Sequence, residues 1–128
     1  MFTDLVGYTA LTQADESQAM RVLDRHNALL RPFFTKFRGK EIKTIGDSFL
    51  VEFESALDAT HCAVEIQRFL YDYNRSSEDS WKIVLRIGIH LGDVIHSGGD
   101  IFGDAVNIAS RLQSISEPGG ICMSPLFS

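Results

Sequence analysis

Two aspartates in this sequence stand where a divalent cation could find oxygen ligands. Asp4 ends a segment with the character of a strand, and Asp47 lies at the tip of a predicted hairpin, in the short link Gly46-Asp47. Neighbouring carboxylates can share hard cations such as Mg²⁺, which prefer oxygen ligands and keep substrate phosphates in their coordination shell. Taken singly, each aspartate is more typical of a turn or a cap. Gly7 favours the metal interpretation, because backbone amides of a glycine-containing turn that enters a helix can hold phosphates.

Three further polar residues could serve the same chemistry. Asn107 and Arg111 are four residues apart and therefore share one face of the last predicted helix. The apolar side of that helix consists of Val106, Ala109 and Leu112. Lys43 lies on the strand that leads to Asp47. Without further context, Asn107 and Arg111 are typical of a solvated helix surface, and Lys43 is typical of a strand edge.

The helices and strands that must position these residues are predicted from the spacing of apolar residues and from the positions of capping residues, glycine and proline. Residues 1–9 have the pattern of the end of a strand and a turn into a helix. Asp15 with Gln18 resembles a capping box that opens the next helix. Pro32 should kink or restart that helix, and Gly39 should end it. Its predicted buried face consists of Met20, Leu23, Leu30, Phe34 and Phe37.

A hairpin and a second long helix follow. Residues 41–45 and 48–53 alternate as two strands. Ser55 with Asp58 opens a helix that ends in a polar loop at residues 74–80. The predicted core stripe of this helix consists of Ala59, Cys62, Ala63, Ile66, Phe69 and Tyr73.

The last third of the chain adds a strand, a helix and the start of another strand. Alternation from Trp81 onward predicts a long strand with one buried face. Its buried residues are Ile83, Leu85, Ile87 and Ile89. The glycine pair at 98–99 is a turn, Asp104 can cap a last helix, and residues 118–120 stop it before a strand at 121–124. The order βαββαβ with a following helix predicts a ferredoxin-like α+β sandwich, in which the first strand and the hairpin are neighbours.

The composition limits the class of protein. The 128 residues are 45% hydrophobic and 23% charged, which suits one globular domain over residues 1–128, with no run near the ~20 apolar residues of a membrane span. The net charge of -5 argues against a nucleic-acid partner, which calls for a clustered basic surface. Cys62 and Cys122 fit no zinc spacing and are expected to be reduced thiols, and His90 and His96 belong to no metal-binding array. We expect a cytoplasmic domain, or one on the cytoplasmic side of a membrane if a longer chain is anchored, with no direct membrane contact of its own.

Four segments together resemble the successive motifs of the class III adenylyl and guanylyl cyclases. They are FTDLVGYT at 2–9, IKTIGDSFL at 42–50, RIGIHLG at 86–92 and GDAVNIASRL at 103–112. The resemblance extends to about residue 120, and four motifs in the right order make it specific. It implies the ferredoxin-like fold of these enzymes, truncated at both ends, without most of the first strand, the closing strands and a further phosphate-binding lysine. GGDIF at 98–102 is also similar to the GGDEF motif of diguanylate cyclases, but Ile101 replaces the needed carboxylate.

The resemblance implies roles for individual residues near the phosphates. Asp4 and Asp47 match the ligands of two divalent metal ions, Mg²⁺ or Mn²⁺, and the carbonyl of Leu5 matches a third protein ligand. The turn formed by Gly7, Tyr8 and Thr9 would bind substrate.

The resemblance also implies catalytic and base-recognition residues. Asn107 matches the residue that orients the ribose, and Arg111 matches the residue that stabilises the transition state. Lys43 and Asp100 fall on the two positions that recognise the base, where lysine with aspartate is similar to adenylyl cyclases. Adenine offers a ring-nitrogen acceptor and an amino donor, which suit an ammonium and a carboxylate, whereas guanine presents the reverse pattern.

The resulting expectation is an adenylate cyclase that converts ATP into 3',5'-cyclic AMP and pyrophosphate in second-messenger signalling. Because all of these residues are in one chain, the resemblance implies a head-to-tail homodimer with active sites at the interface. Regulatory domains are expected on other parts of a longer protein. A guanylate cyclase and a non-catalytic cyclase-like module that binds nucleotide are the alternatives.

Overall fold

A computed structural model describes residues 1–78, 81–92 and 95–124, and within these ranges it contains seven strands and four helices. The strands are β1 (Phe2–Leu5), β2 (Lys40–Ile45), β3 (Ser48–Glu52), β4 (Leu85–Ile89), β5 (Ile95–Ser97), β6 (Asp100–Phe102) and β7 (Ile121–Met123). The helices are α1 (Tyr8–Ala14), α2 (Glu16–Lys36), α3 (Ala56–Ser76) and α4 (Asp104–Ser114).

The main sheet has the order β2-β3-β1-β4-β7. Its first four strands pair antiparallel, and β7 joins β4 in parallel. The strands β5 and β6 form a separate hairpin. The predicted α+β ferredoxin-like sandwich is confirmed, and β1 and the β2–β3 hairpin are neighbours as expected.

The strands sort their side chains onto two faces. In β1, Leu5 belongs to the core formed with α2 and α3, whereas Phe2 packs in a second cluster with Leu50 and Ala109 of α4. Successive residues of a strand point to opposite faces. Asp4 therefore lies on the same face of the sheet as Phe2, which is the face that α4 covers.

Helix α2 begins as predicted, but its buried face is different. The carboxylate of Asp15 accepts a hydrogen bond from the amide of Gln18 at 3.0 Å. The buried residues are Ala19, Val22, His26, Leu30 and Phe34. Met20 was predicted to be inside and is 65% exposed. The prediction missed Ala19, Val22 and His26, which complete the actual stripe.

The end of α2 explains the role of Gly39. The helix does not restart at Pro32 and continues to Lys36. The Gly39 amide bonds the Phe34 carbonyl at 2.8 Å while Arg38, with φ 61°, takes the left-handed position of a Schellman motif. A side chain at Gly39 would collide with the ring of Phe53. Gly39 does follow the helix end, as predicted, but it is needed for close packing.

Helix α3 also begins at the predicted cap, since the Ser55 hydroxyl accepts from the Asp58 amide at 3.2 Å. Of the predicted stripe, Phe69 is 37% exposed, and Leu70 is buried in its place. The helix runs past Asn74, which was predicted to begin a loop. The Asn74 side chain holds the backbone of Ile83 by two hydrogen bonds, of 2.8 and 3.0 Å.

Three details near the C-terminal part differ from expectation. The buried residues from Ile83 to Ile89 were identified correctly, but β4 begins only at Leu85. The short strands β5 and β6 on either side of the glycine turn were not predicted. Asp104 is the first residue of α4 and not its cap, which is Gly103. The buried side of α4 consists of Ala105, Ala109 and Gln113, while Val106 and Leu112 are partly exposed.

Helix α4 lies unusually close to the sheet, because a glycine faces it. A Cβ atom at Gly88 of β4 would overlap the carbonyl oxygen of Ala109 and the amide nitrogen of Gln113. Both cysteines are free thiols, as expected. Within the described ranges, every helix is too short or too polar to cross a bilayer.

Candidate active site

The structure brings Asp4 and Asp47 together at one end of the sheet. Phe2 of β1 pairs with Leu50 of β3, so that the β2–β3 turn lies beside the end of β1. Gly46 opens this two-residue turn with φ 61°, as the tight turns of hairpins require. The Leu5 amide then donates to the Asp47 carboxylate at 2.8 Å. Backbone pairing therefore fixes the distance between the two carboxylates.

Asp47 influences the ionisation of Asp4. The pKa of Asp4 is raised to about 6, mainly by burial and then by a hydrogen bond with Asp47 and by the negative charge of Asp47. Arg86 and Ser48 act in the opposite direction on the pKa of Asp4. Two adjacent carboxylates repel each other when both are ionised, and a cation between them would relieve that repulsion.

This donor set fits a hard divalent cation such as Mg²⁺, which is bound through one or two carboxylates together with water and substrate phosphates. Among the residues that the structure describes, no group of three or more His, Cys, Asp or Glu side chains could hold a metal ion alone. Any further ligands would come from backbone, water or substrate. The assignment of the Leu5 carbonyl remains a prediction.

Arg86 is a site residue that the sequence did not lead us to single out. It pairs with Asp4 across β1 and β4, and its Nη1 lies 4.0 Å from Asp4 Oδ2. Its Nε donates to the carbonyl of Ser116 at 3.1 Å, beyond the end of α4. The signal available was an arginine between two buried residues, Leu85 and Ile87. Such a residue must face the other side of the sheet.

The turn at residues 7–9 leads into α1 as predicted. Gly7 has φ 82° and precedes the first residue of the helix, and no side chain caps this end. The Tyr8 side chain packs against the core, whereas Thr9 is exposed. Substrate binding by Gly7, Tyr8 and Thr9 stays a prediction.

Lys43 and Asp100 meet, although they are far apart in the chain. Lys43 Nζ donates to Asp100 Oδ2 at 2.7 Å. An irregularity in β2 between Glu41 and Lys43 places Lys43 opposite Leu50, on the face that α4 covers. The hydrogen bond from Lys43 is the main cause that lowers the pKa of Asp100, and the Ile101 amide adds to it. The two predicted base-recognition residues thus form one ion pair.

Asn107 and Arg111 lie on the exposed side of α4, as the helix periodicity indicated. Asn107 shares a cleft of about 320 Å³ with Lys43 and Phe102. Among the described residues that line this cleft, Asp4 and Asp47 are not found. One chain therefore presents two separate groups of candidate residues, one around the carboxylates and one around Lys43 and Asn107.

The two histidines have ordinary structural partners. His96 contacts the Glu52 carboxylate at 2.6 Å, and His90 contacts the Ser124 hydroxyl at 2.7 Å.

Fold and site together define an α+β sandwich that holds a carboxylate pair beside an arginine, a combination suited to metal-bound phosphates. The chain matches the family profile of the adenylate and guanylate cyclase catalytic domain over residues 1–127. It therefore belongs to this family, the class III cyclases.

Relatives and solved structures of this family are similar over nearly the whole chain. A Rhizobium meliloti protein provisionally named adenylate cyclase 3 is 38% identical over 122 residues, which are 94% of this chain and 21% of the relative. Receptor-type guanylate cyclase gcy-23 of Caenorhabditis elegans is 30% identical, with 97% of this chain and 13% of the relative covered. The crystal structure of an adenylate/guanylate cyclase/hydrolase from Silicibacter pomeroyi has a TM-score of 0.79 and 40% identity, covering 95% of this chain and 71% of that one. This chain thus spans only a minor part of the two curated relatives.

Proposed function

We propose that residues 1–128 form the catalytic domain of an adenylate cyclase, which converts ATP into 3',5'-cyclic AMP and pyrophosphate. The observation that carries the choice of ATP is the ion pair between Lys43 Nζ and Asp100 Oδ2 at 2.7 Å. An ammonium donor and a carboxylate acceptor side by side complement the ring nitrogen and amino group of adenine. The Rhizobium relative, named as an adenylate cyclase, supports the same choice.

In the proposed reaction the 3'-hydroxyl oxygen attacks the α-phosphorus, and the bond from this phosphorus to the pyrophosphate oxygen breaks. Divalent cations, Mg²⁺ or Mn²⁺, would supply Lewis-acid stabilisation of charge when bound at Asp4 and Asp47. Arg86 adds fixed positive charge 4.0 Å from Asp4, where phosphate oxygens would approach. Asn107 would orient the ribose, and Arg111 would stabilise charge that develops in the transition state.

The separation of the two groups of residues favours an active site shared between two chains. The carboxylates lie at the β2–β3 turn, whereas Lys43 and Asn107 line a cleft that excludes them. A head-to-tail homodimer would place the carboxylates of one chain opposite α4 of the other, and two-fold symmetry would then create two complete sites.

The decisive experiment identifies the product. The protein is incubated with ATP or GTP and with Mg²⁺ or Mn²⁺, and the cyclic nucleotide formed is identified by mass spectrometry. The double variant Lys43→Glu, Asp100→Cys should move preference from ATP toward GTP. Lys36→Glu with Asp24→Cys makes equivalent changes on the exposed side of α2 and should leave the preference unchanged.

Each alternative has its own outcome in this experiment. Cyclic GMP as the main product of the wild-type protein would show a guanylate cyclase. Nucleotide binding without any cyclic product would show a non-catalytic module. Full ATP selectivity in the double variant would mean that Lys43 and Asp100 do not read the base.

A further inference from the structure

Phe102 is an exposed aromatic side chain beside the Lys43–Asp100 pair. It lies two residues after Asp100 in β6, so both side chains project from the same face of that strand. Ile101 between them points the other way and is buried in the cluster under α4. Phe102 itself is 51% exposed. Its ring is therefore available to contact a ligand.

The Phe102 ring lies close to the ion pair between Lys43 and Asp100. Lys43 Nζ lies 5.9 Å from the centroid of the Phe102 ring, while it donates to Asp100 at 2.7 Å. This distance is within the range of a cation–π contact. Phe102 and Lys43 also line the same cleft as Asn107. Lys43, the donor of the ion pair, and the aromatic ring of Phe102 thus border one cleft.

We propose that Phe102 stacks on the purine whose edge Lys43 and Asp100 recognise. The inference rests on the proposed function, because it assigns a further residue to the same nucleotide site. Lys43 and Asp100 would form hydrogen bonds only with the edge of the base. Both faces of the base would remain available for other contacts. Lys43 Nζ lies 5.9 Å from the Phe102 centroid, so a purine hydrogen-bonded to Lys43 has an aromatic face beside it on which to stack.

Stacking makes a different contribution from edge recognition. Every base has a π face, and stacking on an aromatic side chain is therefore tolerant of base identity. Phe102 should raise affinity for ATP and GTP alike, whereas Lys43 and Asp100 should discriminate between them. It should contribute nothing to a ligand that has phosphates and no base.

The test compares ligands with and without a base. Phe102→Ala should raise KM for ATP about 5- to 150-fold, from the usual strength of base–aromatic stacking. KM for GTP should rise by a similar factor, so that the ratio between the two nucleotides is unchanged. Inhibition by inorganic tripolyphosphate, which has no base, should keep its wild-type constant. Phe102→Leu keeps an apolar side chain and should lie between wild type and Phe102→Ala.

The chain offers a matched control on the other side of the molecule. Tyr71 of α3 is 64% exposed and has the Arg75 guanidinium 5.4 Å from its ring centroid. Tyr71→Ala removes an exposed aromatic with a cation partner and should leave KM unchanged. Size-exclusion chromatography with light scattering on each variant reports the oligomeric state.

A second variant gives a direct signal without turnover. The chain contains one tryptophan, so Phe102→Trp adds a single reporter at the cleft. ATP should quench the added fluorescence, and tripolyphosphate should not. This measurement remains valid even for a protein that makes no cyclic nucleotide, so failure of the proposed function and failure of this inference are distinguishable.

Three results would overturn the inference. An unchanged KM for ATP in Phe102→Ala would show that the ring does not touch the base. An equal loss of tripolyphosphate affinity would show that the ring only supports the fold of the cleft. A shift to monomer that accounts for the lost affinity would show that Phe102 is a contact between subunits.

Discussion

His26 illustrates how the interior sets the ionisation of a side chain. It is fully buried in α2, and its ring stacks on Phe49 with centroids 5.4 Å apart. Nδ1 contacts Asn27 Oδ1 at 2.8 Å, while Nε2 has no hydrogen-bond partner among the residues described. Burial is the main cause that lowers the pKa of His26. The folded protein therefore favours the neutral ring.

This burial predicts that stability falls in mild acid. The unfolded chain gains a proton at His26 below a pKa of about 6.5, and the folded state does not, so stability present above that pH is lost as the pH falls. The free energy of unfolding should then decrease by up to about 1.4 kcal/mol per pH unit from this residue. Urea unfolding of wild type and His26→Gln in EDTA, at pH 7.5 and 5.5, measures the difference.

The control for this prediction is the exposed histidine of α3. His61→Gln should keep the wild-type pH dependence, because His61 is exposed to solvent. A His26→Gln variant with the same loss of stability between the two pH values as wild type would contradict the prediction.

Individual site residues could be predicted from the sequence where they belong to one of the cyclase motifs. Lys43 and Asp100 are 57 positions apart in sequence, and only the family resemblance linked them before their ion pair was seen. Arg86 was missed because the alternation of β4 drew attention to its buried neighbours. Its position opposite Asp4 depends on the β1–β4 register, which no local pattern determines.

At the scale of elements, the contact between α4 and β4 positions one half of the proposed site. Gly88 has no side chain to separate the two backbones. The helix carries Ala109 against the sheet and Asn107 and Arg111 on its exposed side. Any displacement of α4 would therefore move both proposed catalytic residues.

Gly88→Ala should be strongly harmful although it adds one methyl group. Its neighbours are backbone atoms of Ala109 and Gln113, which cannot turn aside as a side chain can. Overpacking of this kind usually costs about 1–3 kcal/mol. We expect a lower melting temperature and a large loss of kcat.

Gly120→Ala is the matched control. The nearest atom to a Cβ atom there is the Glu117 carbonyl oxygen at 3.1 Å, which requires only a small adjustment. Thermal unfolding followed by circular dichroism, together with kcat, compares the two variants. Equal effects of both substitutions would show that the contact of α4 with β4 is not tight.

Long elements were predictable, and short ones were not. The caps at Asp15 and Ser55 and the alternation from Ile83 to Ile89 are local signals, and all three were confirmed. The strands β5 and β6 have three residues each, too few for a periodic pattern. Their pairing depends on the intervening glycine turn. On α3 the buried position is Leu70, one residue after the predicted Phe69. Tertiary packing decides a difference of one residue of this kind.

The whole molecule raises the question of whether one chain or two make a site. In a shared site, Asp47→Asn damages the half that holds the carboxylates, and Arg111→Ala damages the half on α4. Each homodimer should be nearly inactive, since both of its sites carry a lesion. Asn at position 47 keeps an acceptor for the Leu5 amide, so the hairpin should retain its fold.

Mixing the two variants should restore activity. Half of the dimers in an equal mixture contain both chains, and each has one intact site of two, so about a quarter of wild-type activity is expected. Mixing Asp47→Asn with Asp4→Asn is the control, because both lesions affect the same half and no intact site can form. Absence of rescue, in mixtures shown to exchange subunits, would place the complete site within one chain.

The position of β1 in the sheet also bears on how the chain reaches its native state. This central strand needs β3, which begins at Ser48, and β4, which begins at Leu85, before both of its edges are covered. Such distant pairings make folding slow, because long loops must close before the contacts form. Asp4 meets Asp47 when β1 pairs with β3, and it meets Arg86 when β1 pairs with β4. A nucleotide that needs all three residues would bind only molecules in which the sheet is complete, and it would draw the folding equilibrium toward them.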